Sequence, residues 1–128
     1  METYIIKNSE NRFGVLVQLE SLEFAIDFKI FQITSEATNE EGEDTLLLDQ
    51  IVDGSIKWDG CSNINYGDKG YIHSCSPEDI INMHKAIEFC WKKAEKSFSE
   101  EDEFDIWFIN ETNAIPYSGN SRCINIYK

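Results

Sequence analysis

The chain has 128 residues, 41% of them hydrophobic and 12% aromatic, and carries a net charge of −13 at neutral pH. This length and apolar content allow a buried core, which excludes a disordered acidic tail and predicts a single domain spanning residues 1–128. The excess of 24 acidic over 11 basic residues repels nucleic acid and anionic membranes, so neither is expected as a direct partner.

Three strands are predicted in the first third of the chain. Residues 4–7 and 13–19 are apolar and rich in β-branched side chains, which favours two strands joined by a turn. Residues 22–30 alternate apolar and polar side chains, the pattern of a strand with one buried face. The turn before this third strand is placed at residues 20–21. Leu22 and Phe24 are therefore expected on the buried face.

Acidic side chains dominate residues 36–44, which are predicted to be a mobile, solvated loop. The segment also contains Thr38, Asn39 and Gly42 and has neither strand alternation nor a helix cap. The acids of this run are Glu36, Glu40, Glu41, Glu43 and Asp44.

Strand character returns in residues 45–59, where Asp53-Gly54 is typical of a turn and is expected to break the segment. A further short strand is predicted at residues 71–75.

One helix is predicted, at about residues 77–98. Ser76 supplies an N-cap hydroxyl, and Pro77 suits the first helical position. Apolar residues then recur at three- and four-residue steps, so this stripe is expected to cover a sheet. Glu88 and Lys92 are expected to pair at a spacing of four residues. The stripe comprises Ile80, His84, Ile87, Trp91, Ala94 and Phe98, which makes His84 a core residue.

A second acidic run, residues 100–105, is expected to be a solvated turn after the helix. Residues 104–109 and 123–127 then predict two closing strands. Strands on both sides of a single helix predict an α+β fold. The sheet is expected to be mainly antiparallel, with about six to seven strands, and to be covered by the one long amphipathic helix.

The four cysteines are expected to be thiols. The first 20 residues lack the continuous apolar segment of a signal peptide, so the protein is predicted to be cytoplasmic, where thiols stay reduced. These residues are Cys61, Cys75, Cys90 and Cys123.

Cys61, His73 and Cys75 form the densest group of residues with metal or thiol chemistry. If their two segments pair as a hairpin, the three side chains converge, and His84 could complete a zinc site. Cys61 could instead act as a nucleophile with a histidine base, and Cys75, near the helix start, is the second candidate nucleophile. The spacing matches no zinc finger or ribbon, so a small Cys/His enzyme or zinc-binding domain is the alternative hypothesis.

No catalytic residue and no cofactor are predicted. Phosphate-binding glycine patterns, the nucleophile elbow and the zinc-protease motif are absent from the sequence,. Neither a calcium-binding loop nor a carboxylate pair suited to glycoside hydrolysis occurs.

The leading hypothesis is a non-enzymatic binding protein whose acidic segments engage and inhibit a basic protein, for example a nuclease toxin. In size and charge alone, the chain is similar to small intracellular inhibitors such as bacterial immunity proteins and phage proteins that imitate the charge of DNA. Acidity that serves only solubility is the competing explanation. Aromatic anchors usually supply affinity in such contacts. The expected partner-binding residues are Glu40, Glu41, Glu43, Asp44, Glu100, Glu101, Asp102, Glu103, Asp105, Tyr66, Trp107 and Tyr117.

Overall fold

The computed structural model describes residues 2–10, 13–67, 75–95 and 101–126, and its account of 101–105 and 125–126 is limited to the backbone. Within these residues the fold is α+β, with a mostly antiparallel sheet of seven strands and with two helices. The predicted fold class and strand number are confirmed, whereas the single covering helix is not. The elements are β1 (Glu2–Ile6), β2 (Gly14–Ser21), β3 (Ala25–Thr38), β4 (Asp44–Lys57), β5 (Ser62–Tyr66), α1 (Pro77–Glu95), α2 (Glu101–Thr112), β6 (Ile115–Pro116) and β7 (Asn120–Ile126).

Strands β1 to β4 pair antiparallel in chain order, and β6 lies beside β1. The other edge of β4 is shared. Its first half pairs with β7 in parallel, and its second half pairs with β5 antiparallel. The turn predicted at Asp53-Gly54 was wrong, because both residues lie inside the continuous β4. A Cβ on Gly54 would lie 2.9 Å from the Phe28 ring and 2.7 Å from the Asn63 carbonyl oxygen, so this glycine permits close strand packing.

The turn between β2 and β3 begins at residue 22, two residues later than predicted. Its backbone closes by a hydrogen bond of 2.8 Å from the Leu22 N–H to the Ala25 carbonyl. Leu22 is 42% and Phe24 71% exposed, so neither side chain lies on the buried face. The alternating pattern runs into the turn, and side chains there no longer follow the pleat of a strand. Trp58 packs at the same end, where its indole N–H donates to the Glu23 carbonyl at 2.8 Å.

The sheet curls so that its two sides meet at one end. Pro116 in β6 lies opposite Tyr4 in β1, whereas Asn120 in β7 lies opposite Thr45 in β4. Four residue steps separate Pro116 from Asn120, a reach of at most ~14 Å. Six strands laid flat at about 4.8 Å spacing would place β6 and β7 ~24 Å apart. The sheet is therefore rolled toward a barrel, and residues 117–119 close the gap.

One face of the sheet packs under the helices, and the other is divided into an apolar and a polar half. A bulge at Ile51, between the registered pairs Ile30–Val52 and Phe31–Gln50, bends β4 and adds to the curl. The apolar half lies inside the curl and comprises Leu16, Phe31, Ile33, Leu46 and Leu48. The polar half is two rows across β2 to β5, Gln18-Lys29-Asp53-Asn65 and Glu20-Asp27-Ser55-Asn63.

Helix α1 begins as predicted, and its buried face overlaps the predicted stripe only in part. Ile87 and Ala94 are buried, and Ile80 and Trp91 pack against the core, but the buried face also extends beyond the stripe. The Asp79 N–H donates to the Ser76 hydroxyl at 3.1 Å, which is the expected N-cap. His84 is exposed, so its assignment to the core was wrong. Lys93, expected outside the stripe, is buried and its ammonium lies 3.3 Å from the Glu2 carboxylate. Residue 98 lies outside the described residues. The buried residues of α1 are Asp79, Asn82, Met83, Ala86, Ile87, Phe89, Cys90, Lys93 and Ala94.

From residue 101 onward, helix α2 takes the place of the predicted turn and strand. Its packing explains why the buried face of α1 differs from the predicted stripe. The ring of Phe108 stacks on that of Phe89, with centroids 4.2 Å apart. Because α2 packs on the side of α1 that carries Phe89, that side is buried as well as the side that faces the sheet. Acidic residues in the first turn of α2 suit the helix macrodipole, and Asn113, at φ +57°, ends it in the left-handed conformation.

The predicted ion pair between Glu88 and Lys92 is present at 3.5 Å. The predicted strand at 71–75 falls largely outside the described residues. Among the helices that the structure describes, none combines the length and the apolar character needed to span a membrane.

Candidate functional site

The acidic segment 36–44 is the tip of a hairpin rather than the irregular loop that was predicted, and its residues are exposed as expected. β3 continues to Thr38 and β4 begins at Asp44. The Asn39 side-chain oxygen accepts the N–H groups of Glu41 and Glu43 at 3.0 and 2.9 Å. Gly42, at φ +81°, donates its N–H to the Asn39 carbonyl at 3.0 Å. Asn at the first position and Gly at the fourth are typical of a type I turn, a signal present in the sequence.

This turn, residues 39–43, forms an acidic tip that projects past the β1–β2 hairpin, since β2 ends its pairing with β3 at Ile33. The pKa of Glu43 is lowered, first by a hydrogen bond with the Glu41 side chain and then by those with Asn120 and Asn39. The carboxylate of Glu43 is thereby held between the tip and β7. Glu40, Glu41 and Asp44 are exposed beside it.

A cavity of about 660 Å³ opens at the base of the acidic tip, at the mouth of the curled sheet. Its volume falls in the range of about 300–1,000 Å³ typical of ligand sites. Most of its lining is apolar, with two carboxylates on the side that belongs to the β3–β4 hairpin. The lining residues are Ile5, Lys7, Phe13, Ile33, Glu36, Asp44, Leu46, Ile115, Pro116 and Tyr117.

Tyr117 lies in the segment that closes the curl, and its ring is held in place. Its hydroxyl donates to the Asn120 carbonyl at 2.7 Å, and its backbone N–H donates to the Thr3 carbonyl at 2.9 Å. Burial raises the pKa of Tyr117, and the negative charges of Glu36 and Asp44 raise it further. Both carboxylates are thus close enough to act on a group bound beside this ring.

The predicted partner-binding residues do not all meet on one surface. The start of α2, with Glu101, Asp102, Glu103 and Asp105, lies near the end of α1, because Lys92 in α1 covers the Trp107 ring at 3.8 Å. That end of α1 is anchored to Glu2, at the opposite end of the sheet from the acidic tip. Tyr66 lies on β5, its ring 6.4 Å from that of His84. Glu100 lies outside the described residues.

The structure separates the cysteines proposed for a metal or thiol site. Cys61 lies in the β4–β5 turn, where its carbonyl accepts the Lys57 N–H at 2.8 Å. Cys75 is instead buried in the core just before α1, where the charges of Asp79 and Asp49 act on its thiol. Asp49 lies eight positions before Lys57 in β4, a separation of ~25 Å at the usual rise per residue. His73 lies outside the described residues. Within the described part of the chain, no group of three or more His, Cys, Asp or Glu side chains is placed to hold a metal ion.

The buried thiols are poor nucleophiles. Desolvation, followed by the charges of Asp79 and Asp49, raises the pKa of Cys75 to about 11. Burial raises the pKa of Cys90 to about 12. These values oppose the helix dipole that favoured Cys75 in the sequence, since a nucleophile needs a depressed pKa. The structure has all four cysteines as thiols.

Sequence reasoning missed the cavity. Its walls come from β1, β3, β4 and β6, so Ile5, Ile33 and Ile115 meet through long-range pairing alone. No local motif marks them. Glu36 and Asp44 belonged to a recognised acidic run, but their place at the rim of an apolar cavity follows from the curl of the sheet.

Comparison of the chain with protein families, with curated proteins and with solved structures finds no match.

Proposed function

We propose that this is a non-enzymatic binding protein that inhibits a basic protein partner through the acidic tip and the adjoining rim of the cavity. The observation that carries the proposal is the fixed presentation of Glu40, Glu41 and Glu43 on a turn held by Asn39. An ordered acidic surface loses less conformational entropy on binding than a mobile loop. A cytoplasmic nuclease toxin is one partner with the required charge.

The field of the acidic tip supports steering of a cationic surface. Exposed charges act over about a Debye length, ~8 Å at physiological ionic strength. Complementary patches raise the association rate more than they slow dissociation. Asp44 belongs both to the hairpin and to the cavity rim, so steering and close contact would occur at the same place.

The test begins with affinity capture from the native host at low salt, or co-expression with the upstream reading frame, followed by purification of the captured basic protein. A tip variant, Glu40→Gln, Glu41→Gln, Glu43→Gln and Asp44→Asn, is then compared with wild type by stopped-flow kinetics. We expect it to associate at least about tenfold more slowly at low salt, with the difference shrinking as salt rises.

A matched control removes the same number of charges at the other end of the sheet, through Glu101→Gln, Asp102→Asn, Glu103→Gln and Asp105→Asn. We expect its association rate to stay within about twofold of wild type, because α2 begins at the opposite end of the sheet from the tip and exposed charges are screened over about a Debye length. Equal slowing by both variants would assign the effect to overall charge. An unchanged association rate in both variants would refute the proposed role of the acidic tip. Binding without loss of the partner's activity would refute the proposal that this protein is an inhibitor.

A further inference from the structure

We propose that the cavity at the base of the acidic tip takes an apolar side chain of the basic partner, flanked in the partner's sequence by an arginine or lysine that pairs with Glu36 and Asp44. The inference rests on the proposed function, since the occupant belongs to the basic partner. It adds the chemistry of the recognised segment.

The apolar walls require an apolar occupant. Ile5, Ile33 and Leu46 form much of the lining, and Ile115 is 52% exposed at its edge. Covering such surface is favourable because it removes apolar area from water. An aromatic or aliphatic anchor in a pocket is the usual centre of a tight protein contact.

The charges at the rim of the cavity determine which residue of the partner can lie next to the bound apolar side chain. Glu36 and Asp44 lie on one side of the mouth, and Lys7 lies on the β1 side as the single base among the described lining residues. The acidic tip adds three further carboxylates next to Asp44. A cation beside the anchor is therefore attracted to the hairpin side of the mouth, whereas an acidic neighbour would be repelled.

The mouth is preorganised for this contact. The Tyr117 ring is fixed by the hydrogen bond to the Asn120 carbonyl. The ring packs so closely on Gly119 that a Cβ there would lie 2.6 Å from the Tyr117 hydroxyl oxygen. A fixed wall reduces the ordering cost that binding would otherwise incur.

The test uses acetyl-Phe-Arg-amide as the probe, titrated into the full chain carrying ¹³C-labelled isoleucine methyl groups. Ile5, Ile33 and Ile115 report on the cavity. Ile64, which packs against the main core, and the exposed Ile106 lie outside the cavity lining and serve as internal controls. We expect saturable shifts at the three cavity residues. Acetyl-Phe-Gln-amide lacks the charge and acetyl-Ala-Arg-amide lacks the anchor, and each should bind at least about fivefold more weakly.

Two variants separate the roles of rim and cavity. Glu36→Gln with Asp44→Asn should weaken the Phe-Arg probe about fivefold and leave the Phe-Gln probe unchanged. Glu20→Gln with Asp27→Asn, on the polar half of the same sheet face, should change neither. Ile115→Trp, at an exposed position, should fill the mouth and abolish the shifts of Ile5 and Ile33 without loss of the fold.

The outcomes distinguish this inference from the proposed function. The claim that an apolar side chain enters the cavity would be overturned if the probe causes no shifts there and the partner binds Ile115→Trp like wild type. The proposed function would still stand in that case if the tip variant associates slowly. Equal binding of the Phe-Arg and Phe-Gln probes would overturn the claim that a basic residue lies next to the apolar side chain. If the wild type sediments as a dimer and Ile115→Trp as a monomer, a second copy of the chain fills the cavity. That result would also overturn the proposal that the basic partner fills it.

Discussion

At Gly14 the first hairpin brings the backbone against the carbonyl of Ile6. Gly14 has φ +108°, and a Cβ there would collide with that carbonyl. Gly42 at the acidic tip has φ +81°, but a Cβ there would meet nothing within 4 Å. The two glycines thus share a conformation that disfavours other residues and differ in the space around them.

Gly14→Ala should destabilise the protein by about 3 kcal/mol, through backbone strain together with the collision. Gly42→Ala should cost about 1 kcal/mol, through strain alone. Urea unfolding followed by circular dichroism measures both. Equal decreases in the free energy of unfolding would mean that the close approach of the Ile6 carbonyl does not contribute to the effect at Gly14.

The thiols differ in reactivity because they differ in burial. At pH 8 iodoacetamide should modify exposed Cys61 first, and Cys90 should react only after unfolding, as measured by peptide mass spectrometry. Because Cys90 has its pKa raised from 9.0 to about 12, unfolding should become more favourable as pH rises through this window, where the unfolded thiol ionises and the folded one does not. Rapid modification of Cys90 in the folded protein would contradict its burial.

At the scale of elements, the two helices act as a pair. Phe108 of α2 stacks on Phe89 and meets the Tyr4 ring edge-on at 5.4 Å, so three elements share one aromatic cluster. Lys93 reaches from α1 to Glu2 at the border of this cluster. The orientation of α1 therefore depends on α2 as well as on the sheet.

Phe89→Ala should lower the free energy of unfolding by about 3–5 kcal/mol, the cost of removing a fully buried aromatic side chain. His84→Ala should stay within about 0.5 kcal/mol, because His84 is exposed. The apolar stripe in the sequence contains His84 but not Phe89, so it predicts that His84→Ala is the more destabilising variant. Thermal and urea unfolding of the two variants decide between the two orientations.

At the scale of the whole molecule, the two densest acidic segments lie at opposite ends of the sheet. The acidic tip lies at one end and the start of α2 at the other, and the net charge is −13. Like charges on one compact body repel, and this repulsion weakens in the extended unfolded chain. Salt should therefore stabilise the fold.

Raising sodium chloride from about 20 to about 200 mM should increase the free energy of unfolding by about 1 kcal/mol. The tip variant, which carries four fewer negative charges, should gain less over the same range. A free energy of unfolding that does not change with salt would mean that self-repulsion contributes little to the stability of this protein.

The sequence by itself determined the α+β class, the strand pattern of β1 to β3, the start of α1 at Ser76 and the acidic character of residues 36–44. Each depends on neighbours within a few positions, where alternation, capping and charge are visible. The tertiary structure decided the second helix, the face of α1 and the cavity. Residues 104–109 have aromatic side chains suited to either strand or helix, and packing of Phe108 on Phe89 favours the helix. The cavity unites Ile5, Leu46 and Ile115 through strand pairing and curl, which no short stretch of sequence specifies.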